Sequence, residues 1–226
     1  MTQNIYDNAG FFAGYAQLRR SVDGLDGAPE WPTLRSMLPD LVGRRVVDLG
    51  CGFGWFCRFA REAGAAAVLG LDVSANMLAR ARETTSDSAI TYRQADLETL
   101  ELPDASFDLA YSSLTLHYLE NLAGLFATLH RALVPGGALV FSAEHPLYTE
   151  PGPDYLDEGP RTTDWLAKGV VKQHRTLATY LNLLIAAGFA VRRVEEWGPT
   201  REEIAAHPEW KIDHRRPSFL LVSAVR

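Results

Sequence analysis

The stretch Val46-Val47-Asp48-Leu49-Gly50-Cys51-Gly52-Phe53-Gly54 decides how the rest of the chain is read. Together with Arg44 and Arg45 it forms a short β-branched run that ends in glycine, the pattern of a buried parallel strand. Three alternating glycines follow, and then a segment with helical periodicity. Glycines at such a strand-to-helix turn let the backbone bend sharply and let a ligand approach without meeting a Cβ atom. A dinucleotide fingerprint would place its third glycine at position 55, where Trp55 stands. A phosphate-cradling loop would end in Gly-Lys-Ser/Thr, and no lysine is present. The loop therefore suits close backbone contact with a ligand, without the marks of a pyrophosphate site.

Outward from this turn, strand and helix patterns alternate. A helix is expected from Trp55 to Ala63, stopped by Gly64, then a second buried strand over 66–72 and a helix over 75–83 capped by Ser74. Strands over 89–96 and 107–113 follow. Residues 122–133 carry apolar side chains at helical spacing and break at Pro135-Gly136-Gly137, ahead of a strand over 137–144. A helix over 177–188 and strands over 189–197 and 218–226 complete the series. Such alternation predicts an α/β fold, a doubly wound and mostly parallel sheet with ligands at the carboxyl ends of its strands. Two segments fall outside it. Residues 1–30 carry Tyr6, Phe11, Phe12, Tyr15 and Leu18, and residues 145–175 form a long Pro/Gly-rich and aromatic stretch of the kind that serves as a lid or binding element. With 226 residues and roughly 150 per domain as a guide, the expectation is one domain spanning 1–226 with these two additions.

Two carboxylates stand in register with the glycine turn. Asp72 ends the second strand, 18 positions after Gly54, where it can accept both hydroxyls of a ribose lying across the loop. Asp96 ends the third strand and can accept from an adenine amino group beside the Leu97 amide. A single aspartate after a strand is usually a cap or turn residue. Three such features on successive strands point instead to a nucleoside.

The segments VVDLGCGFG, GLDVS, QADL, FDLAYSSLTLHYL and LVPGGALVFS resemble, in order, the motifs of class I S-adenosylmethionine-dependent methyltransferases, in particular their small-molecule group. The flanking FFAGYAQLRRS…EWPTLRSMLPDL and HP…HRTLATYLN…RRPSFLLVSA resemble one bacterial subgroup of these enzymes. The resemblance implies a Rossmann-like seven-stranded sheet whose last strand runs antiparallel, an N-terminal helical lid over 1–30 and a cap insertion over 145–175. It also implies S-adenosyl-L-methionine as cofactor. Asp48 would lie near the methionine amino group, with Gly50, Cys51 and Gly52 along the loop, and Asp72 would take the ribose. Val73 and Met77 would face the adenine, with Asp96 and Leu97 at its polar edge. Ser112 would lie near the methionyl moiety, and Tyr15 and Arg20 on the lid, the arginine pairing with the methionyl carboxylate.

Methyl transfer from a sulfonium is an in-line displacement that asks chiefly for alignment and exclusion of water. A hydroxyl acceptor additionally needs a general base. The candidates are His117 after the fourth strand, His145 after the fifth, His174 before the late helix, and Tyr148. Trp165 and Tyr155 are candidates for an apolar acceptor pocket. His207 and His214 fall in a late polar loop.

The acceptor expected is a small molecule, methylated at oxygen or nitrogen. Net charge −6 weighs against a nucleic-acid partner. So does the AYSSL ending of the fourth strand, which lacks the Asn/Asp-Pro-Pro-aromatic arrangement of amino-methylating nucleic-acid enzymes. Cys51 and Cys57 are too few for a disulfide framework or a zinc site, and the scattered histidines suggest no metal. The apolar run 183–191 is well short of the ~20 residues a membrane span needs. The first residues show no signal-peptide pattern, so a cytoplasmic setting is expected. A homodimer is the candidate assembly. The competing readings are an NAD(P)-dependent oxidoreductase on a similar sheet, disfavoured by Trp55, and a cofactor-binding module without catalysis.

Overall fold

In the strand Arg45–Leu49 (β1), every residue after Arg45 is buried, because both faces of the strand are covered. The computed structural model describes residues 3–148, 154–207 and 216–226; residues 149–153 of the expected insertion, and His214, lie outside the described residues. Four strands follow: Ala67–Asp72 (β2), Ile90–Gln94 (β3), Phe107–Ser113 (β4) and Leu133–Glu144 (β5). They are joined by the helices Trp55–Glu62, Ala75–Glu83 and Leu122–Ala132. A separate hairpin, Gly159–Thr163 (β6) and Val170–His174 (β7), precedes the helix Leu177–Ala186 and the last strands Ala190–Trp197 (β8) and Phe219–Val225 (β9).

The main sheet has seven strands in the order β3-β2-β1-β4-β5-β9-β8. β1 to β5 pair in parallel, while β9 is antiparallel to both β5 and β8. This is the Rossmann-like methyltransferase arrangement. From β1 the chain winds outward through β2 and β3, then returns to β4 on the other side of β1. The carboxyl ends of β1 and β4 therefore flank a crevice, where doubly wound sheets bind ligands.

Alternation along the strands sends side chains into two cores. Val47, Leu49, Ala110, Leu139 and Phe141 pack on one face with the helices at 122–132 and 177–186. Val46, Leu109, Tyr111 and Val140 pack on the other with Trp31, Phe56 and Ala60. The helix stops fall as the sequence predicts. Ser74 Oγ accepts from the Met77 amide at 3.1 Å, and Gly64 takes φ +93° past the end of the preceding helix.

Three elements differ from expectation, one of them a short helix, Arg201–Ala206, where a polar loop was expected. β5 begins at Leu133 and runs through Pro135-Gly136-Gly137 instead of starting after them. Leu133 sits opposite Phe107 while Ala138 sits opposite Leu109, so an irregularity in the pairing absorbs the extra residues. The 145–175 segment contains the β6–β7 hairpin, with Gly159 opposite His174 and Thr163 opposite Val170. Its strands GPRTT and VVKQH carry Gly, Pro and charge, and offer little alternation to read.

The N-terminal residues form the short helices Ala9–Tyr15, Arg19–Val22 and Trp31–Arg35. Asp7 and Gln3 are among the residues that tie this segment down. Asp7 caps the helix at 75–83, accepting from Ser74 Oγ at 2.6 Å and from the Asn76 amide at 3.1 Å. Gln3 bonds to the hairpin, donating to the Gly169 carbonyl and accepting from the Val171 amide, both at 2.9 Å. The strap and the hairpin thus meet across the carboxyl ends of the central strands. No described helix is long and apolar enough to cross a membrane.

Candidate functional site

A cavity of about 310 Å³ opens at those strand ends, walled by the glycine turn, the ends of β2, β4 and β5, the N-terminal strap and the hairpin. Its shape starts with the glycines. Gly50 has φ +73°, and a Cβ there would sit 2.1 Å from Thr115 Oγ1, so the turn packs too tightly for any side chain. Gly52 has φ +52° and nothing within 4 Å of a Cβ position, so it faces open space in the cavity wall. One glycine lets the chain pack, and the next leaves room for a ligand.

Two buried carboxylates flank that opening. Asp72 accepts from the Gly52 amide at 2.8 Å and from the Ser74 amide at 2.9 Å, which locks the end of β2 to the glycine turn. Burial outweighs these bonds and pushes its carboxyl up to about 6. Asp48 accepts from the Cys57 thiol at 3.2 Å, and burial raises it to about 7. Neither has a cationic partner among the described residues. Buried carboxylates without a counter-charge are costly unless a cation or hydrogen-bond donors arrive with a ligand. S-adenosylmethionine carries both kinds of group: an ammonium and a sulfonium, and the ribose hydroxyls. The two accepting carboxylates and the open face of Gly52 fit it.

Asp96 also lines the cavity and accepts from the Glu98 amide at 3.0 Å, with Leu97 beside it. Val73, Met77 and Leu97 line the same cavity, as do Cys51, Tyr15 and Arg20. Burial pushes the Cys51 thiol up to about 11, so it serves as an apolar filler and not a thiolate. Arg20 donates through Nη2 to both oxygens of Glu30, at 3.1 and 3.2 Å, and Glu30 is itself buried. The ion pair fixes the guanidinium at the cavity. Tyr15 packs edge-on against Phe53 and Trp165, which joins the strap to the turn and to the hairpin.

Ser112 is a correction. It is fully buried, donates to the Leu49 carbonyl at 2.8 Å and does not line the cavity. Strand alternation puts it on the face opposite Tyr111 and Ser113, and those two line the cavity instead.

The histidines separate in the same way. His117 lines the cavity, and its Nδ1 accepts from the Glu144 amide at 3.3 Å. Burial, together with the Lys172 and Arg175 cations, holds its imidazole well below the usual histidine range. His145 does not line the cavity. Its Nε2 lies 2.9 Å from Glu196 Oε1 on β8, and its Nδ1 accepts from the Leu147 amide, so the ring turns toward the sheet edge. His174 is also outside the cavity lining. Its Nε2 donates to the Tyr155 carbonyl at 2.8 Å, which fastens the base of the hairpin. Tyr155 is occupied there too, accepting from the Leu177 amide, whereas Tyr148 and Trp165 line the cavity.

Sequence reading missed a buried ion pair. Lys172 on β7 donates to both oxygens of Glu144 at the end of β5, at 2.9 and 2.8 Å, and both residues line the cavity. A carboxylate at the end of a central strand was a readable signal for Glu144. Nothing local marks Lys172, because the register of an unpredicted hairpin brings it there.

Comparisons with known proteins agree with this fold. A methyltransferase domain family matches residues 47–141. The crystal structure of an S-adenosylmethionine-dependent methyltransferase from Mesorhizobium loti is 60% identical, covers 90% of this chain and all of that one, and superposes with a TM-score of 0.84. An uncharacterised protein of Haemophilus influenzae is 33% identical over 98% of this chain and 96% of its own. A malonyl-[acyl-carrier protein] O-methyltransferase of Pectobacterium atrosepticum is 36% identical over 59% of this chain, which spans about half (49%) of that relative's length.

Proposed function

The chain belongs to the class I S-adenosylmethionine-dependent methyltransferases, and on that premise we propose that residues 1–226 act as one domain that methylates a small-molecule acceptor at oxygen or nitrogen. The cofactor is S-adenosyl-L-methionine. The observation that supports the residue roles best is the pair of buried carboxylates, Asp48 and Asp72, beside the open face of Gly52. When bound, the cofactor supplies a methyl group already activated by its sulfonium. In this reading Asp72 holds the ribose hydroxyls, Asp48 the methionine ammonium, and Asp96 with the Leu97 amide the adenine edge. Val73 and Met77 pack on the base. Arg20, fixed by Glu30, takes the methionyl carboxylate. The N-terminal strap and the hairpin exclude water over the reacting centre.

The acceptor of the malonyl-[acyl-carrier protein] relatives is a property of those proteins, and their partial overlap favours oxygen as the methylated atom without carrying their substrate across. Net charge −6 favours a small acceptor over a phosphate backbone.

Calorimetry with S-adenosylhomocysteine and, separately, with NAD tests the cofactor roles. The reading expects a saturable heat with the first and none with the second. Binding of NAD in preference would overturn it. Radiolabelled methyl transfer across a metabolite panel tests catalysis itself, and a binder that never transfers label would be a cofactor-binding module.

A further inference from the structure

The wall formed by the end of β5, the turn after β4 and the hairpin contains polar groups that the cofactor roles leave without a task. Three of them are hydrogen-bond donors. His117 takes the Glu144 amide proton on Nδ1, so its own proton is on Nε2, which has no partner among the described residues. The Tyr118 hydroxyl accepts from Tyr6 Oη at 3.4 Å, and its own proton has no acceptor among the described residues. Lys172 spends two N–H groups on the Glu144 oxygens, which leaves the third.

The same wall is poor in free lone pairs. Glu144 is already bridged by Lys172. The Lys172 ammonium also lies 5.5 Å from the centre of the Trp165 ring. A carboxylate next to an aromatic face is where a cationic acceptor would be held, and here the protein's own ammonium fills that place. An amine would arrive protonated and meet Lys172. A hydroxyl would need a base, and burial keeps Tyr6, Tyr118 and Tyr148 protonated while the one imidazole in the wall presents an N–H. A carboxylate needs neither a base nor an anion to hold it. It arrives as a nucleophile, and its requirement is a set of donors and a cation.

We propose that the acceptor carries a carboxylate, bound through one oxygen by Lys172, the Nε2–H of His117 and the hydroxyl of Tyr118, and methylated at its other oxygen. This rests on the methyl-transfer reading above. A lone pair of the free carboxylate oxygen forms the new C–O bond as the S–CH₃ bond breaks, and that bond's electron pair stays on sulfur. The negative charge of the acceptor and the positive charge of the sulfonium both disappear, and no proton moves. The products are a methyl ester and S-adenosylhomocysteine. Glu144 is a positioning residue: it holds the Lys172 ammonium on the cavity wall.

The test uses the chemistry of the product. The full chain is incubated with methyl-labelled S-adenosylmethionine and a deproteinised small-molecule extract, and the products are treated with mild alkali. A methyl ester releases its label as volatile methanol, whereas N-methyl and ether methyl groups keep theirs. The proposal expects volatile label. Alkali-stable label would overturn it while leaving methyl transfer standing, and no label from any extract would overturn both.

The residue assignment is tested with the double variant Lys172→Met/Glu144→Gln, which avoids a buried unpaired charge. It should transfer at least tenfold less label than the parent with unchanged S-adenosylhomocysteine affinity. A binding readout stands beside activity: phenylacetate, phenylacetamide and 2-phenylethylamine titrated into the S-adenosylhomocysteine complex and followed by tryptophan fluorescence. Phenylacetate should bind at least tenfold more tightly than the other two and lose that preference in the double variant. Preference for the amine, or a carboxylate preference that survives the double substitution, would overturn the assignment.

Discussion

The two ends of the cavity are built differently. Around Asp48, Gly52, Asp72 and Asp96 the wall comes from the ends of consecutive strands, within about fifty residues of sequence. Around His117, Glu144 and Lys172 it comes from three elements, and Lys172 reaches Glu144 across 28 residues by way of a hairpin outside the main sheet. The first end meets a ligand with backbone turns and uncompensated carboxylates. The second meets it with donors and an ion pair already satisfied within the protein. Substitutions at the first end should therefore act on cofactor affinity or on the fold, and at the second on the acceptor alone.

The largest expected effect is at Gly50. Gly50→Ala would bring a Cβ to 2.1 Å from Thr115 Oγ1 on a backbone with φ +73°. We expect a loss of about 2–4 kcal/mol in urea unfolding. Gly52→Ala has the space that Gly50 lacks, so its stability should fall by only about 1–2 kcal/mol from backbone strain while S-adenosylhomocysteine binding is blocked. Equal stability loss in both variants would erase the distinction between a packing glycine and a ligand-facing one.

Next in size is Asp72→Ala. Removing a carboxylate that accepts from two hydroxyls should cost about 1.5–3 kcal/mol of S-adenosylhomocysteine affinity, roughly ten- to a hundredfold. Unchanged affinity would remove the ribose role. The pH dependence should agree with it. Because only the ionised carboxylate accepts from both hydroxyls, binding should weaken as pH falls through about 6, by about tenfold per unit below that.

Stability of the free protein should move the other way. Asp48 titrates near 7 in the folded chain against about 3.9 unfolded. Between those values the folded state binds the extra proton, so stability falls as pH rises, by at most about 1.4 kcal/mol per unit from this group. Asp48→Asn should remove that slope between pH 6 and 7 in urea titrations and reduce it by about half below 6, where Asp72 contributes in the same sense. A slope that persists unchanged would show that Asp48 is not the group responsible.

The smallest effect is at Ser112. Ser112→Ala removes the bond to the Leu49 carbonyl and should cost about 1 kcal/mol of stability with no change in S-adenosylhomocysteine affinity. A large affinity loss would return Ser112 to the cofactor end.

The same contrast explains what was legible in the sequence. The individual strands, the turn at 50–54, Asp72 at a strand end and Asp96 just past one follow from local patterns, because a glycine after a buried strand and a carboxylate near its end keep their meaning wherever the strand lies, whereas the seven-stranded sheet came from the family resemblance. Ser112 was misplaced by one residue of pleat: a strand end is readable, but which of two neighbouring serines faces the crevice depends on the core each side packs against. His145 and His174 stand next to the right elements, yet their rings turn to Glu196 and to the Tyr155 carbonyl. Those partners are 51 and 19 residues away in the chain. Lys172 was invisible for the same reason, since its place is set by the register of β6 against β7.

The most direct test of the division between the two ends is a crystal structure of the S-adenosylhomocysteine complex. The account predicts ribose hydroxyls within hydrogen-bond distance of Asp72, adenine beside Asp96 and Met77, and the sulfur opening toward His117 and Lys172. A nucleoside seated away from Asp72, or a sulfur turned from the His117–Lys172 wall, would contradict it.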